Sequence, residues 1–581
     1  MNIFAEIYDL VLDALKTLQN EKHLPEILNF QNVTVEPPRD NLHGDMSTNA
    51  AMVLAKQAEL QPRQIAELLV GKLSDDVRIE NIEVAGPGFL NLILKKNIWI
   101  DLIPQIIRLN TEYGTSKIGG KKRVNVEFVS ANPTGPLHVG HTRGAVFGDA
   151  LANLLDFAGY SVTREYYIND GGAQVDVLAR SVYLRYLEAN DISVEFIDGT
   201  YPGDYLIPIG KSLKDIFGDS FINAEEADWL PQFREHAIAS MMSLIRSDLS
   251  SLGIKMDIFY SEKSLYGTGS IEAALNELKT KDLIYQGVLE APKGKLPEDW
   301  EPREQTLFKS SDYGDDVDRP IKKSDGTWTY FAPDIAYHYD KIRRNFDYLI
   351  DVFGADHGGY VKRMKAAVRA LSDDKVTLDI KLTQLVRLFK NGEPFKMSKR
   401  AGNFISLRDL VEQVGADVAR FVMLTRKNDA PLDFDFDKVQ DQSRDNPVFY
   451  VQYAHARVHS VLTKASKLKM DVSDKALLAA DLTSLGHESE LTLIKKICEW
   501  PRLIELAAKH NEPHRIAFYL YELASEFHAF WSQGKDTHVL RFIVEKNIIQ
   551  SQSKISLARC VAIVISNGLG ILGVKPMDEM R

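Results

Sequence analysis

The chain has 581 residues, 45% apolar and 26% charged, with 70 Lys+Arg against 81 Asp+Glu and a net charge of −11. At roughly 100–200 residues per domain this is a folded multidomain protein, and the composition excludes a disordered chain, a collagen and a disulfide scaffold. The acidic total excludes a uniformly basic nucleic-acid glove, but a local basic surface stays open because phosphate binding follows the local field.

The first segment places Ile3, Phe4, Ile7, Leu10, Val11, Ala14, Leu15 and Leu18 at helical spacing, which predicts an amphipathic helix. Further helices are predicted over 47–58 and 62–73. Residues 79–84 alternate as a strand, Gly86-Pro87-Gly88 turns, and 89–94 returns. These make a small α+β domain over 1–115, followed by a Gly119-Gly120-Lys121-Lys122 linker. Beyond it, 123–129 alternates as a strand, 142–157 has helical spacing with Gly159 as its stop, and 162–168 is a second strand. Strand–helix–strand opens a doubly wound parallel sheet, so the central domain, 116–449, is predicted to be α/β. The stretch 180–325 breaks that alternation and reads as an insertion. Strand-like segments return at 348–353 and 383–388. From Tyr450 onward the spacing is helical, predicting an all-α domain over 450–581.

Cys498 and Cys560 are the only cysteines, which suits core thiols in a reducing compartment. The N-terminus carries Glu6 and no basic stretch, so no signal peptide is expected. No run is read as approaching the roughly 18 apolar residues of a membrane span, and a cytoplasmic location is expected.

Two segments carry chemistry. The first strand runs into Ser130-Ala131-Asn132-Pro133-Thr134-Gly135-Pro136, and His138-Val139-Gly140-His141 follows at the opening of a helix. The histidines share one face of the first turn, where free N–H groups and the dipole suit phosphate. Gly140 lets a flat ring approach the backbone. Composition alone gives roughly 0.02 such motifs per chain, so a chance match is the weaker explanation. A metal site is disfavoured, since no His-Glu-x-x-His pattern is present. The second segment, Phe395-Lys396-Met397-Ser398-Lys399-Arg400-Ala401-Gly402, offers Lys396, Ser398, Lys399 and Arg400 to anionic oxygens. A solvated basic loop is the bland alternative. The chain has no Gly-x-x-x-x-Gly-Lys-Ser/Thr phosphate loop.

His-x-Gly-His after the first strand, with Lys-Met-Ser-Lys much later, resembles the class I aminoacyl-tRNA synthetases and, more closely, the arginyl-tRNA synthetase family. The likeness extends to Tyr167-Ile168-Asn169-Asp170-Gly171-Gly172, Tyr201-Pro202-Gly203-Asp204-Tyr205 and Tyr450-Val451-Gln452-Tyr453-Ala454-His455-Ala456-Arg457. It covers essentially the whole chain. It implies a Rossmann-type catalytic domain, an N-terminal domain touching tRNA, and a helical domain gripping the anticodon. It further implies ligation of L-arginine to tRNA(Arg) through an arginyl-adenylate, with Mg²⁺ accompanying ATP and no dedicated metal site, in a monomer.

By that resemblance His138, Gly140 and His141 hold ATP with Met397 and Ser398, and Lys396 and Lys399 stabilise the departing pyrophosphate. Arginine falls to Glu127, Ser130, Asn132, His138, Tyr330 and Asp334, with Tyr330 and Asp334 at the guanidinium; Asp356, which follows another strand, is expected to face the same crevice. A planar fork pairs bidentately with a carboxylate, which the point charge of lysine cannot copy. Without the resemblance, Glu127 could be a solvent-facing strand acid and Asp334 a helix cap. Phe89 and Asn91 are placed near the tRNA elbow, where an aromatic can stack on a splayed base; a core role for Phe89 is the alternative. Residues 341–400 carry 14 Lys+Arg against 7 Asp+Glu, a local excess that suits phosphate or a solvated face.

Overall fold

The computed structural model describes the chain except residues 39, 41–42, 290–302, 396–404, 442, 444, 545–546 and 581. Its centre is a five-stranded sheet in the order Thr377–Thr383, Tyr348–Gly354, Arg123–Glu127, Ser161–Ile168, Ile258–Ser261. All four pairings are parallel. The first strand lies in the middle, so the chain winds outward one way and then the other. The direction reverses between Arg123–Glu127 and Tyr348–Gly354, and such a switch point leaves a crevice at the strands' carboxyl ends.

The sequence alternation of 123–129 does not mark a solvent face. Val124, Asn125, Val126 and Glu127 are all buried, because a parallel sheet is covered on both sides. Its polar side chains pair inside the protein: Asn125 Nδ2 donates to Glu165 Oε2 at 2.7 Å, while Asn125 Oδ1 is buried with no partner. The strand stops at Glu127, two residues early. Val129 and Ser130 then take φ of +71° and +38°, a left-handed conformation that strains a β-branched residue and is typical of functional loops.

Other boundaries shift for local reasons. In the stretch 47–58, Met46–Thr48 pairs with strand Phe89–Leu94 and the helix begins at Ala50. The stretch 383–388 spans a junction: Thr377–Thr383 ends the main sheet, and Val386–Lys390 belongs to a separate three-stranded one. Across the stretch 180–325 and just before it, the helices Gln174–Ala189, Ile207–Phe217 and Glu226–Ser251 form their own core around Phe233, yet Ile258–Ser261 returns to the main sheet as its edge. That part of the stretch continues the parallel sheet that the sequence reading had interrupted there.

The segment from Pro447 onward contains no strand among the described residues. Its helix Ile548–Leu572 is long and apolar enough to cross a membrane, contrary to the sequence reading, but most of it is buried inside the protein. It packs against Pro447–Lys467 and His514–Asp536, as a core helix does. Cys498 and Cys560 are both unpaired and buried, and burial pushes the Cys498 thiol up.

Candidate active site

The crevice at the switch point is a cavity of about 670 Å³. Glu127, the last residue of the central strand, lies in its wall. Its Oε1 accepts from Ser130 Oγ at 2.9 Å and its Oε2 from Lys341 Nζ at 2.6 Å. The left-handed turn at Val129–Ser130 folds the serine back over this carboxylate, and the same Oγ accepts the Tyr167 N–H at 3.1 Å. Asn132 also lines the cavity, donating from Nδ2 to Gln174 Oε1 at 2.9 Å.

Asp334 enters from the first turn of helix Phe331–Arg343. It does not cap that helix: the cap residue is Tyr330, and no side chain closes the end. Burial pushes the Asp334 carboxyl up to about 7; His338 opposes this, while Glu262, Glu127 and Asp351 add to it. A carboxyl in that state takes up a cation readily, because the cation removes the reason for holding the proton. Tyr330 also borders the cavity but is 81% exposed, so it stands at the rim.

Asp356 is not brought in. Strand Tyr348–Gly354 passes into the 3-10 turn Ala355–Tyr360, which turns Asp356 outward, its side chain 81% exposed and 3.6 Å from His357. His357 lines the cavity instead.

Sequence reading missed four residues here. Glu262 follows the edge strand Ile258–Ser261 and accepts from Tyr266 Oη at 2.8 Å, with both residues in the cavity wall. A position directly after a parallel strand was the available signal. His338 joins Asp351 through Nε2 and the Asp334 carbonyl through Nδ1, both at 2.8 Å. Lys341, one turn on, lies behind Glu127. His338 and Lys341 sit four and seven residues after Asp334, the spacing of one helix face.

The histidine motif begins helix Val139–Phe157 three residues earlier than periodicity indicates, because His138 is its cap. His138 Nδ1 accepts from the Gly140 N–H at 3.0 Å and His141 Nδ1 from the His138 N–H at 3.2 Å. A Cβ on Gly140 would meet His138 Cε1 at 2.8 Å, so the ring that needs the bare glycine is the cap's own. Lys396, Met397, Ser398 and Lys399 lie outside the described residues. Beyond them, Ser406 forms a bridge with His138, and the Val139 N–H donates to the Ile405 carbonyl at 3.2 Å. The chain that follows the lysine motif is therefore fastened to the histidine motif.

In the N-terminal domain Phe89 is 41% exposed at the start of strand Phe89–Leu94, so it is not core. Asn91 is buried, opposite Ser47 and Glu83, and does not face solvent as a tRNA contact would require. Among the described residues, His455, His459 and Asp578 are close enough together to hold a metal ion, and they lie outside the cavity lining.

Three family profiles match the chain: "Arginyl tRNA synthetase N terminal domain" over 5–94, "tRNA synthetases class I (R), catalytic domain" over 102–203, and "DALR anticodon binding domain" over 451–580. The chain is 69% identical to an arginine–tRNA ligase of Ruegeria pomeroyi and 67% identical to one of Roseobacter denitrificans, each over 581 residues and the full length of both chains. Its fold is similar to that of the Thermus thermophilus arginyl-tRNA synthetase, with a TM-score of 0.74 and 20% identity, covering 99% of this chain and 100% of that one.

Proposed function

We infer the activity from one premise: this chain belongs to the arginyl-tRNA synthetase family, to which its full-length relatives belong. It ligates L-arginine to tRNA(Arg). An arginine carboxylate oxygen attacks the α-phosphorus of ATP, the bond to the bridging oxygen breaks, and diphosphate leaves. A terminal hydroxyl of the tRNA then attacks the arginyl carbonyl of the adenylate, and AMP leaves.

Neither step needs a covalent intermediate with the enzyme, so positioning and charge stabilisation supply the rate. His138 and His141 donate to the ATP phosphates from the helix N-terminus, beside Gly140. Lys396 and Lys399, with Met397 and Ser398, meet the leaving diphosphate. Arginine enters the switch-point cavity, its guanidinium at Asp334 and Tyr330 and its α-amino end near Glu127, Ser130 and Asn132. Asp334 carries this assignment, as a half-buried carboxyl with a raised pKa that faces the cavity and caps nothing. Mg²⁺ would neutralise phosphate charge and be held chiefly by the nucleotide's own oxygens. The buried carboxylates Glu127 and Asp351 are already bound by Lys341 and His338, so they do not form a vacant cation cage.

For tRNA, the exposed Phe89 offers a stacking surface at the elbow, and the helical domain would take the anticodon. We place the enzyme in the cytoplasm as a monomer, as is usual in this family. The direct test is charging: labelled arginine should become attached to a tRNA(Arg) transcript only when ATP is present. Attachment of a different amino acid, or none, would refute the reading.

A further inference from the structure

Lys341 has no solvent exposure. Its Nζ lies 2.6 Å from Glu127 Oε2 and 3.0 Å from Asp351 Oδ1, and 4.4 Å above the Tyr337 ring. Burial alone would push its ammonium down, but Asp351, Glu127 and Glu165 outweigh that and hold it above the ordinary lysine value. A full positive charge therefore sits behind the cavity wall.

The two carboxylates depend on that charge unequally. Burial raises Asp351, but Lys341 and then His338 bring it down to about 2; the His338 Nε2 contact is 2.8 Å. Glu127 has a hydrogen bond from Lys341 and one from the neutral Ser130 hydroxyl. Burial pushes Glu127 above the ordinary carboxylate value, Lys341 opposes without cancelling the rise, and Asp351 adds to it. Losing Lys341 would leave Asp351 with an imidazole partner and Glu127 with none that is cationic at short range.

We propose that Lys341 is a positioning residue for amino-acid recognition: its ammonium, in direct contact with Glu127, favours the carboxylate form and aims it along the wall of the arginine cavity. This rests on reading the cavity as the arginine site. A carboxylate has about four acceptor positions, so its contacts with Lys341 and Ser130 leave it able to accept from a cationic substrate. The other titratable groups near Glu127 are His338, Asp334 and Tyr337 on the same helix, and Asp351 on strand Tyr348–Gly354. Tyr167 and Glu165 on strand Ser161–Ile168 and Glu262 after the edge strand complete the set. Glu165 is itself held by Arg344 at 2.7 Å, and Lys341 is the ammonium in direct contact with Glu127.

The experiment is arginine-dependent ATP–pyrophosphate exchange by the full chain with tRNA(Arg), for the wild type, K341M, E127Q and K341M/E127Q, from pH 6.5 to 9. In K341M the arginine KM should rise about tenfold or more at pH 7, as for loss of a charge-assisted contact, while the ATP KM stays within about twofold. It should recover toward pH 9 as Glu127 ionises again. E127Q should show the rise without recovery, and adding K341M to E127Q should raise the arginine KM no further. A wild-type arginine KM and pH profile in K341M, or a double variant clearly worse than E127Q, would overturn the proposal. Should K341M not fold, the double variant, which removes both charges together, carries the comparison with E127Q. Absence of arginine-dependent exchange in the wild type would overturn the arginine reading of the cavity, and this inference with it.

Discussion

The imidazoles of His138 and His141 lie face to face, ring centroids 3.9 Å apart, and each accepts a backbone N–H through Nδ1. With Nδ1 accepting, a ring proton sits on Nε2, the atom that would donate to phosphate in the proposed ATP site. Asparagine can reproduce the Nδ1 acceptor of a cap but lacks the Nε2–H. His141→Asn should therefore lower the exchange kcat by about 10²-fold, as for one donor to developing charge, with the melting temperature unchanged. An equal loss in thermal stability would show that the ring serves the helix rather than the nucleotide.

Asp334→Asn should separate function from stability. Removing the charge should raise the arginine KM about tenfold or more, while the ATP KM barely moves. The native state holds this proton up to about pH 7 against an ordinary 3.8. Between those values the native state binds more protons than the unfolded chain, so this group's contribution to stability falls as pH rises through the window. Above pH 7 the fold bears the full penalty of the ionised group, a few kcal/mol at roughly 1.4 per pKa unit. In the absence of arginine, Asp334→Asn should melt higher than the wild type at pH 8 and no higher at pH 4. In the wild type, arginine KM should fall from pH 6 to pH 8 as the proton is lost. Flat arginine kinetics across that range would separate Asp334 from the guanidinium.

The doubly wound domain was legible because strand, turn and helix follow one another from Arg123 onward, and the His motif marks the turn between them. The wall opposite was harder. Asp334 was found only through the family resemblance, and Lys341 and His338 look in sequence like the polar face of an amphipathic helix. What makes them internal is the fit of helix Phe331–Arg343 against the sheet, which brings Lys341 to Glu127 across 214 residues of chain. Local spacing cannot report such a contact. Asn91 and Asp356 show the same limit in reverse: resemblance named the first and a strand end the second, but a strand pairing buries Asn91 and a 3-10 turn exposes Asp356. The apolar helix Ile548–Leu572 was passed over because its serines, Lys554 and Arg559 interrupt the apolar run.

Phe89→Ala should raise the tRNA KM while leaving ATP and arginine KM alone. The lost stack is worth about 1–3 kcal/mol. Since Phe89 is 41% exposed, the melting temperature should hold; early melting with normal tRNA kinetics would remove it from the interface.

Lys399→Ala should lower adenylate formation by roughly 10²–10³ if this lysine meets the diphosphate in the transition state. Single-turnover adenylate formation measures this directly, and a rate near the wild type would remove Lys399 from the mechanism.

In this proposal a carboxylate-walled cavity at the switch point selects the guanidinium. ATP–pyrophosphate exchange in the presence of tRNA(Arg), with arginine, lysine and the uncharged analogue citrulline compared side by side, tests it most directly. A site built on polar pairing rejects a ligand that leaves its buried groups unpaired by about 10⁴–10⁵. Exchange is expected with arginine and almost none with lysine or citrulline. Comparable exchange with citrulline would contradict it, because that ligand has nearly the shape of arginine without the charge that Asp334 is placed to receive.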